Sequence, residues 1–392
     1  MRTLTLASGM RLGTLALALA AVLAVTGCSG PAPAATSTPA ATDEAPDFPA
    51  DTATALQTAL DSTRGDEFAG VIARVITPDG TWTGTSGAAA PDGDTPPAPD
   101  DRTRIGSLTK TMTATILLQL VEEGLVSLDD PISQYVPDSP NGAATLRQLA
   151  DMTSGIPSYS LDPDWEAMYF GDPFRVFTTQ ELVDAARTLP VVGAPGEVWQ
   201  YSNTNYVLLG MVIEQVLEQP IADVFAERLF EPLNMADTVY PGGSASIDEP
   251  HLVGLTNQRN PAGAPEDATE WSPSFGSTAG EVVSTLDDLT VWAHALFTGE
   301  GVLDEETQQL RRDSILSSPP PNDAESGYGL GWGERADGWW GHSGTIPGFT
   351  TSVFHSYDQD ATIVVVANTD VPLASGDIPA PAVFEALAAA LG

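Results

Sequence analysis

One lysine, Lys110, occurs in the 392 residues of the chain, against fourteen arginines, and it stands three residues after Ser107 in the stretch SLTK. At i and i+3 of a helix two side chains share a face and come within hydrogen-bonding reach. A serine hydroxyl is a weak nucleophile until a base takes its proton. Lysine can be that base where burial lowers its pKa, whereas arginine stays protonated in any protein setting. A chain that otherwise uses arginine therefore still needs lysine where an amine must shed a proton. At a helix start, Ser107 would also meet the positive end of the helix dipole. A single S-x-x-K is common by chance, so the pair needs company.

Two further stretches supply it. In PGEVWQYSNTNYVLLGMVIE, Pro195-Gly196 makes a turn and an apolar run from Tyr206 begins a helix. Tyr201, Ser202 and Asn203 then sit on a loop at a helix entrance, where side chains commonly face a cleft. A phenol such as Tyr201 can shuttle a proton if a nearby cation lowers its pKa. The Asn203 amide both donates and accepts, which suits it to orient a lysine and a substrate amide, and suits it equally to cap the following helix. In Gly341-His342-Ser343-Gly344-Thr345, glycines allow a ligand close to the backbone, and strand-edge N–H groups are free to bind an oxyanion. A plain hairpin strand with a structural His342 would read the same way.

The elements that must position these groups follow from periodicity. Residues 51–63 and 108–123 have helical apolar spacing, as do 203–218 and 286–297. GVIARVITPDGTWTGTSG alternates about a PDG turn and predicts a β-hairpin. WWGHSGTIPGF, TSVFHSY and TIVVVANT read as successive strands, and PAVFEALAAAL closes the chain as a helix. Strands at both ends with helices between them predict an α+β fold: an antiparallel β-sheet flanked by helices, plus an all-helical lobe inserted at about 129–300, with a cleft between.

The first 27 residues read as an export leader. Arg2 and Arg11 precede an apolar run, Leu12–Val25, too short for a comfortable membrane span. The run ends VTGC, which resembles a lipoprotein lipobox, so Cys28 is the expected lipid acceptor and membrane anchor on the extracytoplasmic side. Cys28 is the sole cysteine, and no intramolecular disulfide can form. Residues 28–50, rich in Pro, Ala and Thr, read as a tether to one domain at 51–392. With 15 basic and 53 acidic residues the formal net charge is −38. Such a surface repels nucleic acid and anionic headgroups, and excludes both as direct partners.

In order, SLTK, YSN and HSG are separated by 94 residues from Ser107 to Tyr201 and 141 from Tyr201 to His342. With RIGSLTKTMTATILLQLVEEGLVSLDDPI, TLRQLADMTSGI, FEPLNMADT, WSPSFGSTAGEVVSTLDDL, GYGLGW and VVVANTD, the pattern from about residue 55 onward resembles the serine penicillin-recognising family. That family holds class C β-lactamases, D-alanyl-D-alanine carboxypeptidases and related esterases and D-aminopeptidases; the likeness is greatest to the soluble carboxypeptidases. The resemblance implies a β-lactamase/transpeptidase-like fold and an acyl-enzyme on Ser107, deprotonated with the help of Lys110. It implies that Tyr201 passes the proton to the leaving amine, that Asn203 positions Lys110 and the substrate amide, and that His342 shapes the hydrogen bonding beside Tyr201. Backbone N–H groups of Ser107 and Thr345 would form the oxyanion hole, with Ser343 and Gly344 beside the substrate and Trp271 lining the cleft. Expected partners are peptidoglycan stem peptides or small esters and amides, with β-lactams as acylating ligands; no cofactor or metal is expected.

Two departures from the family pattern bear on specificity. HSG replaces the K-T-G of class C β-lactamases, which disfavours efficient penicillin hydrolysis. Where the carboxypeptidases carry an arginine for the substrate's terminal carboxylate, this chain has Gly333, with Arg335 two residues later. The expected activity is D-alanyl-D-alanine carboxypeptidase; the alternatives are an esterase or D-aminopeptidase, a class C-like β-lactamase, or an inactive envelope-binding lipoprotein. An α/β-hydrolase is disfavoured because GHSGT fails the G-x-S-x-G elbow at its last position. A zinc hydrolase is disfavoured because His251, His294, His342 and His355 never take ligand spacing.

Overall fold

The alternating stretch at 70–87 forms the expected hairpin, β1 (Gly70–Thr77) and β2 (Gly80–Gly87), paired antiparallel about Pro78-Asp79. It is seen in a computed structural model that describes residues 48–63, 70–91 and 93–392. The expected leader, Cys28 and the tether up to residue 47 lie outside the described residues.

Helix α1 (Ala50–Ser62) precedes the hairpin. After it, β3 (Thr103–Arg104) leads into a 3₁₀ turn at Gly106–Leu108 and then α2 (Thr109–Glu122). Every side chain of α2 from Thr109 to Leu120 is buried, because this helix is enclosed on all sides. Its sequence is accordingly apolar or threonine nearly all round, as a central helix requires. Helices α3 (Leu146–Ala150), α4 (Pro163–Gly171), α5 (Thr179–Arg187), α6 (Asn203–Leu217) and α7 (Ile221–Phe225) build the lobe. Two short strands, β4 (Leu255–Thr256) and β5 (Glu266–Asp267), pair with each other within the inserted stretch, and β6 (Val283–Ser284) pairs with β3.

The chain then runs through α8 (Leu286–Thr298), α9 (Glu305–Arg312), β7 (Gly327–Tyr328), β8 (Gly333–Glu334), β9 (Trp339–Ile346), β10 (Phe349–Ser356), β11 (Ala361–Ala367) and α10 (Pro379–Leu391). The main sheet has the order β2-β1-β11-β10-β9-β8-β7, antiparallel throughout. The architecture is thus the α+β one expected, with one adjustment. Helix α8, read as part of the inserted stretch, packs on β1, β10 and β11. Its buried stripe Leu289, Trp292, Ala293 and Leu296 has the i, i+3, i+4, i+7 spacing of a helix with one apolar face.

Strand alternation divides the core in two. Val71, Ala73, Val75, Ile363 and Val365 face α1 and α10, while Ile72, Val364 and Val366 face the larger core shared with the lobe. Both faces of β11 are covered, which is why TIVVVA is an unbroken apolar run. On the α10 side Phe384 sits 4.6 Å from Phe354 and 5.3 Å from Trp339 by ring centroids. Truncating such a ring to alanine costs about 3–5 kcal/mol.

Candidate active site

Ser107 lies in the 3₁₀ turn that opens α2, and two glycines let this turn rest against the end of β9. A Cβ on Gly344 would fall 1.9 Å from the Ile105 carbonyl oxygen. One on Gly106 would fall 2.7 Å from the Thr345 nitrogen, and Gly106 has φ +53°, where side chains are strained. Thr351 Oγ1 secures the approach by donating to the Ile105 carbonyl at 2.9 Å. The backbones of Ser107 and Thr345 are thereby brought together at the edge of the sheet.

Lys110 is fully buried and lies one helical turn on from Ser107. Its Nζ contacts Asn203 Oδ1 at 2.7 Å, the Ala279 carbonyl at 2.8 Å and Ser107 Oγ at 3.0 Å. Among the described residues it has no carboxylate partner. Burial alone accordingly holds its pKa well below the ordinary 10.5. The first two partners can only accept, so a neutral amine spends both N–H groups on them. Its lone pair is left facing the Ser107 hydroxyl.

Asn203 is the first residue of α6, and Ser202 occupies the N-cap without a side-chain cap bond. The capping alternative is therefore not what the Asn203 side chain does: its oxygen accepts from Lys110 and its nitrogen donates to Ser160 Oγ at 2.8 Å. The Tyr201 ring lies 4.8 Å from Lys110 Nζ. The expectation that a cation would lower this phenol is not met. Burial pushes its pKa above 10, and the neighbouring Ser107 hydroxyl opposes the rise only in part. With its pKa raised, Tyr201 is a protonated phenol at neutral pH.

His342 is buried beside Tyr201, with Nδ1 at the Ser343 carbonyl and Nε2 3.0 Å from the Tyr328 hydroxyl. A carbonyl only accepts, so Nδ1 carries the proton and Tyr328 donates to Nε2. Burial depresses the His342 pKa to about 3, the nearby Lys110 amine adds to the depression, and the Ser343 carbonyl opposes it. The position that holds a lysine in K-T-G thus holds an uncharged ring. Ser107, Tyr201, Tyr328, His342, Ser343 and Thr345 line one cavity of about 440 Å³, together with Glu334 and Arg335. The Ser343 hydroxyl is engaged with Ser352 Oγ at 2.9 Å.

Arg335 reaches this cavity but not as a free cation. It bonds Asp337 and Glu385 at 3.2 Å each and lies over the Phe384 and Phe354 rings, on the α10 side of the sheet. Trp271 departs from its expected place. It is 3% exposed, edge-on to Tyr169 and Phe170 at 6.4 and 6.3 Å, and is not among the residues lining the cavity. The lobe's aromatic cluster offers its indole more apolar contact than a wet cleft does. Ser158, Ser160, Tyr328 and the Ala279 carbonyl carry no expectation from sequence, yet each makes a hydrogen bond in the site. Ser158 and Ser160 flank Tyr159 in SYS, a signal too ordinary to single out.

A buried lysine–serine pair with a phenol and a strand edge around it, in a cleft between an antiparallel sheet and a helical lobe, defines a serine hydrolase of the β-lactamase/transpeptidase-like fold. The Beta-lactamase family matches residues 56–388, and the chain belongs to it. It is similar to the D-stereospecific amidohydrolase of a Streptomyces species, at 32% identity and a TM-score of 0.75 over 85% of this chain and 97% of that one. The D-amino acid amidase of Ochrobactrum anthropi SV3 gives 30% identity and a TM-score of 0.75 over 87% of this chain and all of that one. Penicillin-binding protein 4* of Bacillus subtilis is 26% identical over 283 residues, which are 68% of this chain. The chain spans about 60% of that relative's length.

Proposed function

We propose that the chain hydrolyses amides of D-configured acyl groups through an acyl-enzyme on Ser107, with a leaving group that bears no free carboxylate. The observation that carries the hydrolase part is Lys110, buried, lowered in pKa by that burial, and held by Asn203 and Ala279 against the Ser107 hydroxyl. Ser107 Oγ bonds to the substrate carbonyl carbon as its proton moves to Lys110 Nζ. The oxyanion is held by the N–H groups of Ser107 and Thr345, where loss of one donor typically costs about 3 kcal/mol. As the C–N bond breaks, the leaving nitrogen takes the phenolic proton of Tyr201, which Lys110 replaces. Water then bonds to the ester carbon, and as the acyl C–Oγ bond breaks its proton passes by way of Tyr201 and Lys110 to Ser107 Oγ, releasing the acid and restoring the serine.

The leaving-group side supports an amidase over a carboxypeptidase. Arg335, the one cation among the described residues that line the cavity, is matched by Asp337 and Glu385, and Glu334 adds a further carboxylate. His342 contributes no charge. A free terminal carboxylate would meet net negative charge, whereas a neutral amide or an amine is accepted. The likeness to the D-stereospecific amidohydrolase and the D-amino acid amidase supports the same reading. Export and lipid attachment at Cys28 form part of the proposal and rest on the sequence alone.

The test pairs two measurements on the full chain. Intact mass after incubation with benzylpenicillin, with peptide mapping, should place an adduct on Ser107 that Ser107→Ala abolishes. D-alanine amide should be hydrolysed faster than a peptide ending in D-Ala-D-Ala. The reverse preference overturns the leaving-group assignment in favour of the carboxypeptidase. Neither adduct nor hydrolysis overturns the hydrolase itself and leaves a binding protein.

A further inference from the structure

Helix α3 ends in a conformation that normally calls for glycine. Asp151 is its C-cap, and the Thr153 N–H reaches back to the Gln148 carbonyl at 2.9 Å. The residue between them, Met152, is thereby placed in the left-handed region, with φ +69°. Glycine takes such a position freely, whereas a methionine there is strained and persists only where its surroundings hold it. Those surroundings are the loop that carries Tyr201. The Met152 carbonyl accepts the Gln200 N–H at 3.0 Å, and its Sδ accepts the Ser202 N–H at 3.3 Å. The same sulfur lies 3.6 Å from Asn205 Nδ2, in the first turn of α6. Met152 is 1% exposed and Ser202 fully buried, and among the described residues the sulfur is the only acceptor that the Ser202 N–H meets. A methylene in its place would leave that N–H buried without a partner. Glycine would keep the carbonyl bond and lose the sulfur one.

We propose that Met152 is a positioning residue for Tyr201: its carbonyl and its sulfur hold the peptides on either side of the phenol and so fix the donor that protonates the leaving nitrogen. The inference rests on the reading that Ser107 is acylated by amides, in which the leaving nitrogen takes the Tyr201 proton as the C–N bond breaks. A tyrosine side chain has few rotatable bonds, so the backbone on either side of its Cα decides where its hydroxyl can lie. That hydroxyl neighbours Ser107 and lines the cavity, whereas Met152 lies behind it and lines none of the cavity. Met152 thus acts only through Tyr201, and its effect belongs to the step that needs the phenolic proton. A leaving group that departs as a stable anion does not need that proton.

The experiment compares D-alanine p-nitroanilide with the p-nitrophenyl ester of the same acyl group on the full chain, for the wild type, Met152→Leu, Met152→Gly and Met152→Asn. The value of kcat/KM reports steps up to acylation, and p-nitrophenolate leaves unprotonated. Met152→Leu, which keeps the bulk, should lower kcat/KM for the anilide by about tenfold, within what a small misplacement of a reacting group costs, and change the ester less than about threefold. Met152→Gly, which suits the left-handed backbone, should show the same selective loss and carries the test if the leucine variant does not fold. Met152→Asn sets an oxygen at the δ position and should return the anilide-to-ester ratio towards the wild type. Equal losses on both substrates would mean that Met152 only supports the fold, and an unchanged ratio in Met152→Asn relative to Met152→Leu would mean that the acceptor is immaterial. Either overturns the assignment and leaves the amide hydrolase standing, as does a wild-type ratio in both Met152→Leu and Met152→Gly. A wild type that releases no p-nitroaniline overturns the amide reading and this inference with it.

Discussion

The uncharged state of His342 can be tested through stability. An imidazole with a folded pKa of about 3 and an unfolded value of about 6.5 leaves the protein most stable, for its part, above pH 6.5. As pH falls below that value the unfolded chain binds a proton that the folded chain refuses, and the contribution drains away until pH reaches about 3. Asp151 and Asp370, raised by burial to about 6, act in the opposite sense over part of this range, since folding helps them keep a proton. The wild-type curve alone is therefore a sum of opposing slopes. The difference between wild type and His342→Gln removes the aspartates, which are common to both proteins. Going from about pH 7.5 to about pH 5, one proton bound only by the unfolded state lowers wild-type stability relative to the variant by about 2 kcal/mol. Urea unfolding at these two pH values reads that difference directly, and NMR of the imidazole nitrogens should show a neutral ring protonated at Nδ1 throughout. A difference that does not change with pH, or a ring that titrates near 6.5, would refute the neutral-histidine account. The case against a carboxylate-bearing leaving group would then lose one of its supports.

Lys110→Arg places a permanently protonated group where the base must be, so kcat/KM should fall by about 10²–10⁴ while circular dichroism stays unchanged; a variant near wild-type activity defeats the base assignment. In the wild type, kcat/KM should rise with pH to a plateau as Lys110 loses its proton, with a midpoint well below lysine's ordinary 10.5. A midpoint near 10.5 in a pH–rate profile would contradict an amine lowered by burial. Gly106→Ala sets a Cβ 2.7 Å from the Thr345 nitrogen at a φ of +53°, and should cost about 10²–10³ in kcat by spreading the oxyanion site; unchanged kcat would show that the site tolerates the shift. Asp337→Asn with Glu385→Gln frees the Arg335 guanidinium, and should raise kcat/KM on peptides with a free terminal carboxylate by about tenfold relative to amides. No change in that ratio would show that Arg335 does not face the leaving group.

What the sequence determined by itself is local or periodic. Ser107 and Lys110 share a helix face by spacing alone, and a solitary lysine among arginines already pointed to an amine that must lose a proton. The hairpin at 70–87, the strands from Trp339 onward and helices α2, α6 and α8 follow from alternation and turn residues, which depend on neighbours in the chain. The tertiary structure decided the rest, because each outcome depends on residues distant in sequence. The Lys110 pKa is lowered only because the fold buries it, among residues that include Asn203 and Ala279, 93 and 169 residues away. Tyr201 stays a protonated phenol for the same reason, against the expectation of a lowered pKa. Arg335 is claimed by Glu385, 50 residues later on α10, which no reading of GWGERADG could foresee. Trp271 leaves the cleft for an aromatic cluster built from α4, and Ser160 joins the site only because α6 brings Asn203 to it. Spacing along a chain determines which groups can share a face, whereas charge state, pairing and solvent access depend on what the fold packs against them.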